Sequence, residues 1–284
     1  MTENTIKTVR IKEIIDECKD VRTFVFTMKN ETIENYINPK PGQFIMVWVP
    51  GVDEIPMSLS GCDDSGNWAI TVKKVGECTN AIFNLKQGDF IGVRGPLGNY
   101  FEIPEEKSKN IFLIGGGIGM APLRFFSQEL YKHKISFILI QGAKDKSDLM
   151  FTTQIQILDK NSNDIFYCTE DGSYGTKGVA TEAFERILET YSKKLFSNAI
   201  VYTCGPEQMI YSIYKVCEKW NIELYASLER IMRCGCGLCG LCVIDPIGML
   251  VCKDGPIFNS ESLSKMEDFG KYKRNFAGKK QQLD

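Results

Sequence analysis

Five of the chain's eleven cysteines fall between Cys234 and Cys252. Cys234, Cys239 and Cys242 stand in the order Cys-x4-Cys-x2-Cys, and Cys252 follows after nine intervening residues. This is the plant-type spacing of a [2Fe–2S] cluster, in which four thiolates hold two irons. Gly235, Gly237 and Gly240 suit it, because glycine reaches the φ > 0 conformations that turn amides inward toward sulfur. Cys236, set between two of these glycines, reads as a neighbour of the cluster and not as a ligand. The chemistry such a site performs is one-electron transfer.

Two other uses of clustered cysteines fit less well. Structural zinc favours two Cys-x2-Cys knuckles, and here Cys252 stands alone. A disulfide framework belongs to short secreted domains, whereas this chain has 284 residues and opens MTENTIKTVR, with no apolar leader. A reducing cytoplasm is the expected setting. The net charge of −2 argues against a nucleic-acid partner. No apolar run is long enough to span a bilayer. The single histidine, His133, lies between Lys132 and Lys134 and reads as an exposed helix-end residue. Histidine-based acid–base catalysis is thereby nearly excluded, and cofactors must supply the chemistry.

The elements that would position those cofactors fall into three modules. Residues 1–104 carry short β-branched and aromatic runs, Thr23–Thr27, Gln43–Val49, Trp68–Val72 and Phe90–Val93, separated by Pro-Gly and Gly-Asp turns. Such spacing predicts a small antiparallel barrel. Residues 105–227 alternate apolar strands (Ile111–Ile114, Ser136–Ile140, Asp164–Thr169, Ala199–Thr203, Glu223–Ala226) with amphipathic helices (Leu123–Lys132, Val179–Tyr191, Glu207–Trp220). That alternation predicts an α/β domain with a parallel sheet covered on both faces. Residues 228–284 hold the cysteines and a mildly basic tail, whose stretch from Lys265 onward reads as exposed and partly mobile. The fold class is therefore a multi-domain α+β protein.

In the α/β domain, strand Ile111–Ile114 runs into Gly115, Gly116, Gly117, Ile118 and Gly119, with Pro122 entering the next helix. Glycines there let backbone approach a pyrophosphate, and the helix N-terminus attracts anions. A glycine turn alone equally permits tight packing. Strand Ala199–Thr203 exits through Cys204, Gly205 and Pro206, and strand Asp164–Thr169 through Glu170, Asp171 and Gly172. Ligands of open parallel sheets bind beyond the carboxyl ends of the strands, so a nicotinamide dinucleotide is the natural candidate.

Barrel, GGGxGxxP turn and CGPxxM turn, in that order, resemble the ferredoxin-reductase superfamily. The appended cysteine segment narrows the likeness to the electron-transfer subunits of dihydroorotate dehydrogenase B, over nearly all of the chain. The stretch from Pro41 to Glu54 and the run Cys252-Lys253-Asp254-Gly255-Pro256 are especially similar. The resemblance implies FAD in the barrel, held at Pro56, Met57 and Ser58, along Thr71, Val72 and Lys73, and at the turn Gly76, Cys78 and Thr79. The superfamily's flavin-phosphate arginine is absent, because position 55 is isoleucine; Lys73 and Lys74 are candidate replacements. Ser58 and Thr79 serve equally well as a hairpin hydroxyl and an N-cap.

The resemblance further implies NAD(H) at Gly115–Gly119, Gly205 and Pro206, with Asp171 and Ser173 near the nucleotide sugar or else merely closing a turn. Cys204 lies near the nicotinamide or is simply a small buried residue. NAD is favoured over NADP, since only Lys144 and Lys146 follow strand Ser136–Ile140. The implied partner is an FMN-containing catalytic subunit, in a heterotetramer of two of each chain. Electrons from dihydroorotate would reach NAD⁺ through the cluster and FAD, in pyrimidine biosynthesis. Flavin subunits of cytoplasmic hydrogenases share all four cysteines and stay open as an alternative. Those of ferredoxin–NADP transhydrogenases resemble this chain too, with aspartate where Cys234 stands.

Overall fold

The computed structural model describes residues 5–29, 36–104, 110–159, 164–190, 196 and 198–283. Its N-terminal part is a closed barrel of β1 (Lys7–Cys18), β2 (Val21–Thr27), β3 (Phe44–Val49), β4 (Asp53–Cys62), β5 (Asn67–Lys73) and β6 (Phe90–Leu97). The order around it is β1-β2-β5-β4-β3-β6, with every neighbour antiparallel. Phe24, Phe26, Ile45, Val47, Trp68, Ile70, Val72 and Val93 fill the interior, as expected of a barrel too narrow for a channel. Helix α1 (Glu77–Phe83) follows β5 and closes one end through Cys78 and Ile82.

The central part alternates β7 (Asn110–Gly116), α2 (Met120–Lys132), β8 (Phe137–Ala143), α3 (Thr152–Asp159), β9 (Asp164–Thr169), the short β10 (Thr176–Lys177), α4 (Ala180–Thr190), β11 (Ala199–Cys204), α5 (Glu207–Trp220) and β12 (Glu223–Ser227). Its strands pair in parallel in the order β10-β9-β8-β7-β11-β12. Ile111, Phe112, Leu113 and Ile114 of β7 are all buried, because helices cover both faces. The chain first builds outward through β8 and β9, then returns to the far side of β7 with β11. That reversal is a topological switch point between β7 and β11, where such sheets bind ligands.

The C-terminal part folds onto both of the others. It carries two hairpins, β13 (Val243–Ile244) with β14 (Met249–Leu250) and β16 (Tyr272–Arg274) with β17 (Lys280–Gln282), plus the short α6 (Ser260–Ser264). Strand β15 (Ile257–Asn259) joins the large sheet, antiparallel to β12. The region after Leu228 thus shares a sheet with the α/β part and is no free-standing module.

The tail keeps its expected exposure at Lys271, Lys273, Lys279 and Lys280 and departs from it only at its start. Met266, Asp268 and Phe269 are buried. Lys280 bridges Asp268 at 2.8 Å and Asp245 at 3.0 Å, and Arg274 joins Asp245 at 2.5 Å. Asp245 lies outside the tail, so its pairing with Arg274 and Lys280 leaves no trace in the tail's own sequence. Among the described residues, no helix is long and apolar enough to cross a membrane.

Candidate electron-transfer site

The cysteine loop has the backbone the spacing demanded. Gly235, Gly237 and Gly240 all adopt positive φ, at 65°, 85° and 68°. Amides consequently point at sulfur: Gly237 N–H donates to Cys252 Sγ at 3.2 Å, and Leu238 and Cys239 to Cys234 Sγ at 3.2 and 3.4 Å. Cys252 N–H points at Cys242 Sγ, 3.5 Å away. The thiols pair off, Cys234 within hydrogen-bond reach of Cys239 and Cys242 of Cys252. Burial pushes the Cys234 thiol up, but the Cys236, Cys239 and Leu238 amides and the Cys239 thiol outweigh it and bring it down to about 6. The Cys242–Cys252 hydrogen bond favours one thiolate beside one thiol. Among the described residues no three ligating side chains converge on one metal position; the four thiols stand as two pairs with backbone amides aimed at three of them, a division that fits the two irons of a binuclear cluster. Cys236 also reaches Cys234. It lines a cleft of about 490 Å³ with Cys252, Lys253, Gln43 and Leu97.

The loop is fastened to the barrel. Gly235 lies against Met46 and Leu97, where an added Cβ would meet Met46 Cγ at 2.9 Å. Asn99 Nδ2 donates to the carbonyls of Asp254 and Ile257 at 3.0 and 2.8 Å, while its Oδ1 accepts from Ile257 N–H at 2.8 Å. Arg94 reaches the Cys234 carbonyl at 2.9 Å. Sequence reasoning missed Arg94 and Asn99. A lone arginine in the apolar strand FIGVRGPL was the available signal, since a buried cation must be paired.

In the barrel, β4 pairs with β3 over Asp53–Ser58 but with β5 only over Leu59–Cys62. Pro56, Met57 and Ser58 therefore diverge from Thr71, Val72 and Lys73, and the proline's missing N–H falls where no β5 partner exists. This slot brings together the predicted flavin residues of both strands. Their side chains are less available than the sequence suggested. Thr71 Oγ1 is buried, 2.9 Å from Ser60 Oγ and 2.8 Å from Thr23 Oγ1. Val72 and Cys78 belong to the core. Thr79 Oγ1 accepts from Val75 and Gly76 N–H at 3.0 and 2.8 Å, so it caps α1. Gly76 faces open space. Lys73 sits 3.9 Å from Asp148, and Lys74 lies over the Phe83 ring.

At the switch point, the two glycine-bearing turns pack on each other. A Cβ on Gly119 would stand 2.3 Å from the Cys204 carbonyl oxygen, one on Gly115 2.2 Å from Met120 Sδ, and one on Gly116 2.6 Å from Met209 Sδ. Close packing explains these three. Gly117 alone, at φ +52°, has nothing within 4 Å of a Cβ, and its turn packs beside β5. Gly205 leans on the Gly116 backbone, and Pro206 is the N-cap of α5. Cys204 is half-buried, and its thiol is pushed up to about 12 by desolvation and the Glu229 charge, with Ser227 and the Gly205 amide only partly opposing. It is a neutral thiol. Asp171 Oδ1 accepts from Ser173 N–H and Oγ at 2.9 and 2.7 Å, closing its own turn.

Three sequence-family models match this chain in consecutive segments: an oxidoreductase FAD-binding domain over residues 8–101, an oxidoreductase NAD-binding domain over 113–215, and the iron–sulfur cluster binding domain of dihydroorotate dehydrogenase B over 229–264. The probable dihydroorotate dehydrogenase B (NAD⁺) electron transfer subunit of Methanocaldococcus jannaschii is 40% identical over 271 residues, 95% of this chain and 96% of that one. The chain belongs to this electron-transfer subunit family. The like-named protein of Methanocella arvoryzae is 38% identical over 96% of this chain and 97% of its own length. Among solved structures, an NADH-dependent reduced ferredoxin–NADP oxidoreductase superposes with a TM-score of 0.77 at 27% identity, covering 91% of this chain and 89% of that one.

Family membership decides three matters the residues had left open. The cysteines are those of an iron–sulfur domain and not of a zinc knuckle. FAD and NAD are the cofactors of the other two parts. The transhydrogenase-like alternative is the weaker match, at 27% identity against 40%.

Proposed function

We propose that this chain carries electrons between NAD⁺ and a partner FMN subunit that oxidises dihydroorotate, in the cytoplasm, as an assembly of two copies of each chain. What supports this reading is that the Gly117 turn and the cysteine loop both pack against one barrel. The β4–β5 slot lies beside the Gly117 turn of the α/β part, and the cysteine loop is fastened to β3 and β6. When bound, FAD exchanges a hydride with the nicotinamide and single electrons with the cluster.

The protein's task is alignment, since hydride transfer needs geometry more than an acid or base. Arg124 of α2 donates to the Ser60 carbonyl at 2.7 Å and to Gln154 at 2.8 Å, locking the α/β part to β4. Gly117 leaves room for a diphosphate, and Gly205, Pro206 and Cys204 would hold the nicotinamide end. Pro56, Met57, Ser58, Thr71, Val72, Lys73, Gly76, Cys78 and Thr79 hold the flavin, the buried ones through backbone. Cys234, Cys239, Cys242 and Cys252 hold the iron.

Asp145 and Asp171 stand at neighbouring strand exits, both carboxylates held below the usual range by serine hydrogen bonds. Two negative charges there disfavour a 2′-phosphate, which supports NAD over NADP. The only histidine, His133, bonds the Glu129 carbonyl at the end of α2; dihydroorotate oxidation is assigned to the partner.

Anaerobic purification of the chain alone tests this. The expected product shows flavin absorbance, equal iron and labile sulfide, NADH-dependent dye reduction and no dihydroorotate oxidation. Co-expression with an FMN-binding dihydroorotate-oxidising chain should restore dihydroorotate-dependent NAD⁺ reduction. Copurification with nickel–iron subunits instead would favour the hydrogenase alternative.

A further inference from the structure

Arg94 is the one charged residue of β6, and its side chain is 9% exposed. Its Nε and Nη2 each lie 2.9 Å from a different carboxylate oxygen of Glu54, a bidentate fork. Its remaining arm, Nη1, donates to the Cys234 carbonyl at 2.9 Å. Glu54 stands two residues before Pro56, where the β4 segment beside the proposed flavin slot begins. The chain Glu54–Arg94–Cys234 therefore runs from the β4 side of the slot to the first cysteine of the loop, with these three bonds directed by one planar group. The guanidinium stands forward, toward the cysteine loop, with its counter-charge behind it.

We propose that Arg94, clamped by Glu54, is a positioning residue that holds the cluster against the barrel and raises its reduction potential. This rests on the iron–sulfur reading above. A cluster gains one negative charge on reduction, and its potential follows local charge, hydrogen bonds and solvent exposure. A buried cation acts through a low dielectric, where charges interact more strongly than in water. The oriented pair thus favours the reduced state, and its two halves act in opposite senses. Removing the cation lowers the potential. Neutralising Glu54 raises it, because the guanidinium is then uncompensated.

The test is a redox titration of the cluster by electron paramagnetic resonance in the whole protein, with iron and sulfide measured on each sample. Arg94→Gln should lower the midpoint and Glu54→Gln should raise it. Each shift should amount to about a tenfold change in the reduced-to-oxidised ratio, or about 59 mV for one electron. Arg94→Lys keeps the charge but not the fork and should fall between wild type and Arg94→Gln; it carries the cation arm of the test should Arg94→Gln not fold. Midpoints that do not move, or that move the same way in both Gln variants, overturn the proposal. The wild-type spectrum checks the cluster itself, so cluster-loaded variants with unshifted midpoints defeat this inference alone.

Discussion

Gly119 and Gly117 sit two residues apart and answer to different constraints. An added methyl on Gly119 meets the Cys204 carbonyl, backbone that cannot move aside. Gly119→Ala should therefore destabilise the protein by about 2–3 kcal/mol, read as a lowered thermal midpoint. Gly117→Ala has space but a left-handed backbone, which costs a residue with a Cβ about 1–2 kcal/mol. Its larger expected effect is a raised KM for NADH, because the methyl occupies the room reserved for a diphosphate. Should both variants change only stability, the Gly117 assignment would be wrong. Burial pushes Cys168 up to about 11 and holds Cys204 near 12. Unfolded thiols ionise near pH 9 while these keep their protons, so their contribution to stability is complete below pH 9 and declines above it. Denaturant titrations at pH 8 and pH 10 would show the fall, and NADH–dye reduction should show no Cys204 ionisation at neutral pH.

At the scale of elements, the α/β part was the more legible because its signals are local. Strand Asp164–Thr169 and helix Glu207–Trp220 have the expected bounds, since buried parallel strands are continuously apolar and amphipathic helices keep their period. Strand β1, KTVRIKEIIDEC, is harder to read, because only Val9 and Ile11 of it are buried and a register shift after Ile11 breaks the alternation. The final hairpin was hidden for another reason: Asp245, which pairs with Arg274 and Lys280, lies in a different segment. Those partners, Lys280 first, hold the Asp245 carboxyl below its ordinary value of 3.8. A lowered carboxylate stabilises above its unfolded pKa and loses that contribution as pH falls through the folded one. Below about pH 4, then, the tail hairpin should loosen before the barrel does. Hydrogen exchange across residues 265–283 at pH 7 and pH 3 measures this; equal protection would refute it.

The α/β part and the cysteine segment both pack on a barrel whose core includes none of Cys234, Cys239, Cys242 and Cys252. Cys239→Ser should abolish the cluster's signals and electron delivery to a partner, while NADH-dependent dye reduction persists and the main thermal transition hardly moves. Loss of dye reduction together with the cluster would mean that the cysteine loop holds the flavin site together. From residue order alone came the iron–sulfur character of the cysteine segment, the two glycine turns and the succession of barrel and parallel sheet, because cysteine spacing and hydrophobic period are written within a few residues of one another. Only the folded chain decided how the parts meet. Arg94 on Cys234, Asn99 on Ile257, Arg124 on Ser60 and β15 on β12 join residues distant in sequence. Such contacts leave no local pattern, since a buried charge or an edge strand declares its partner only when packing brings the two together.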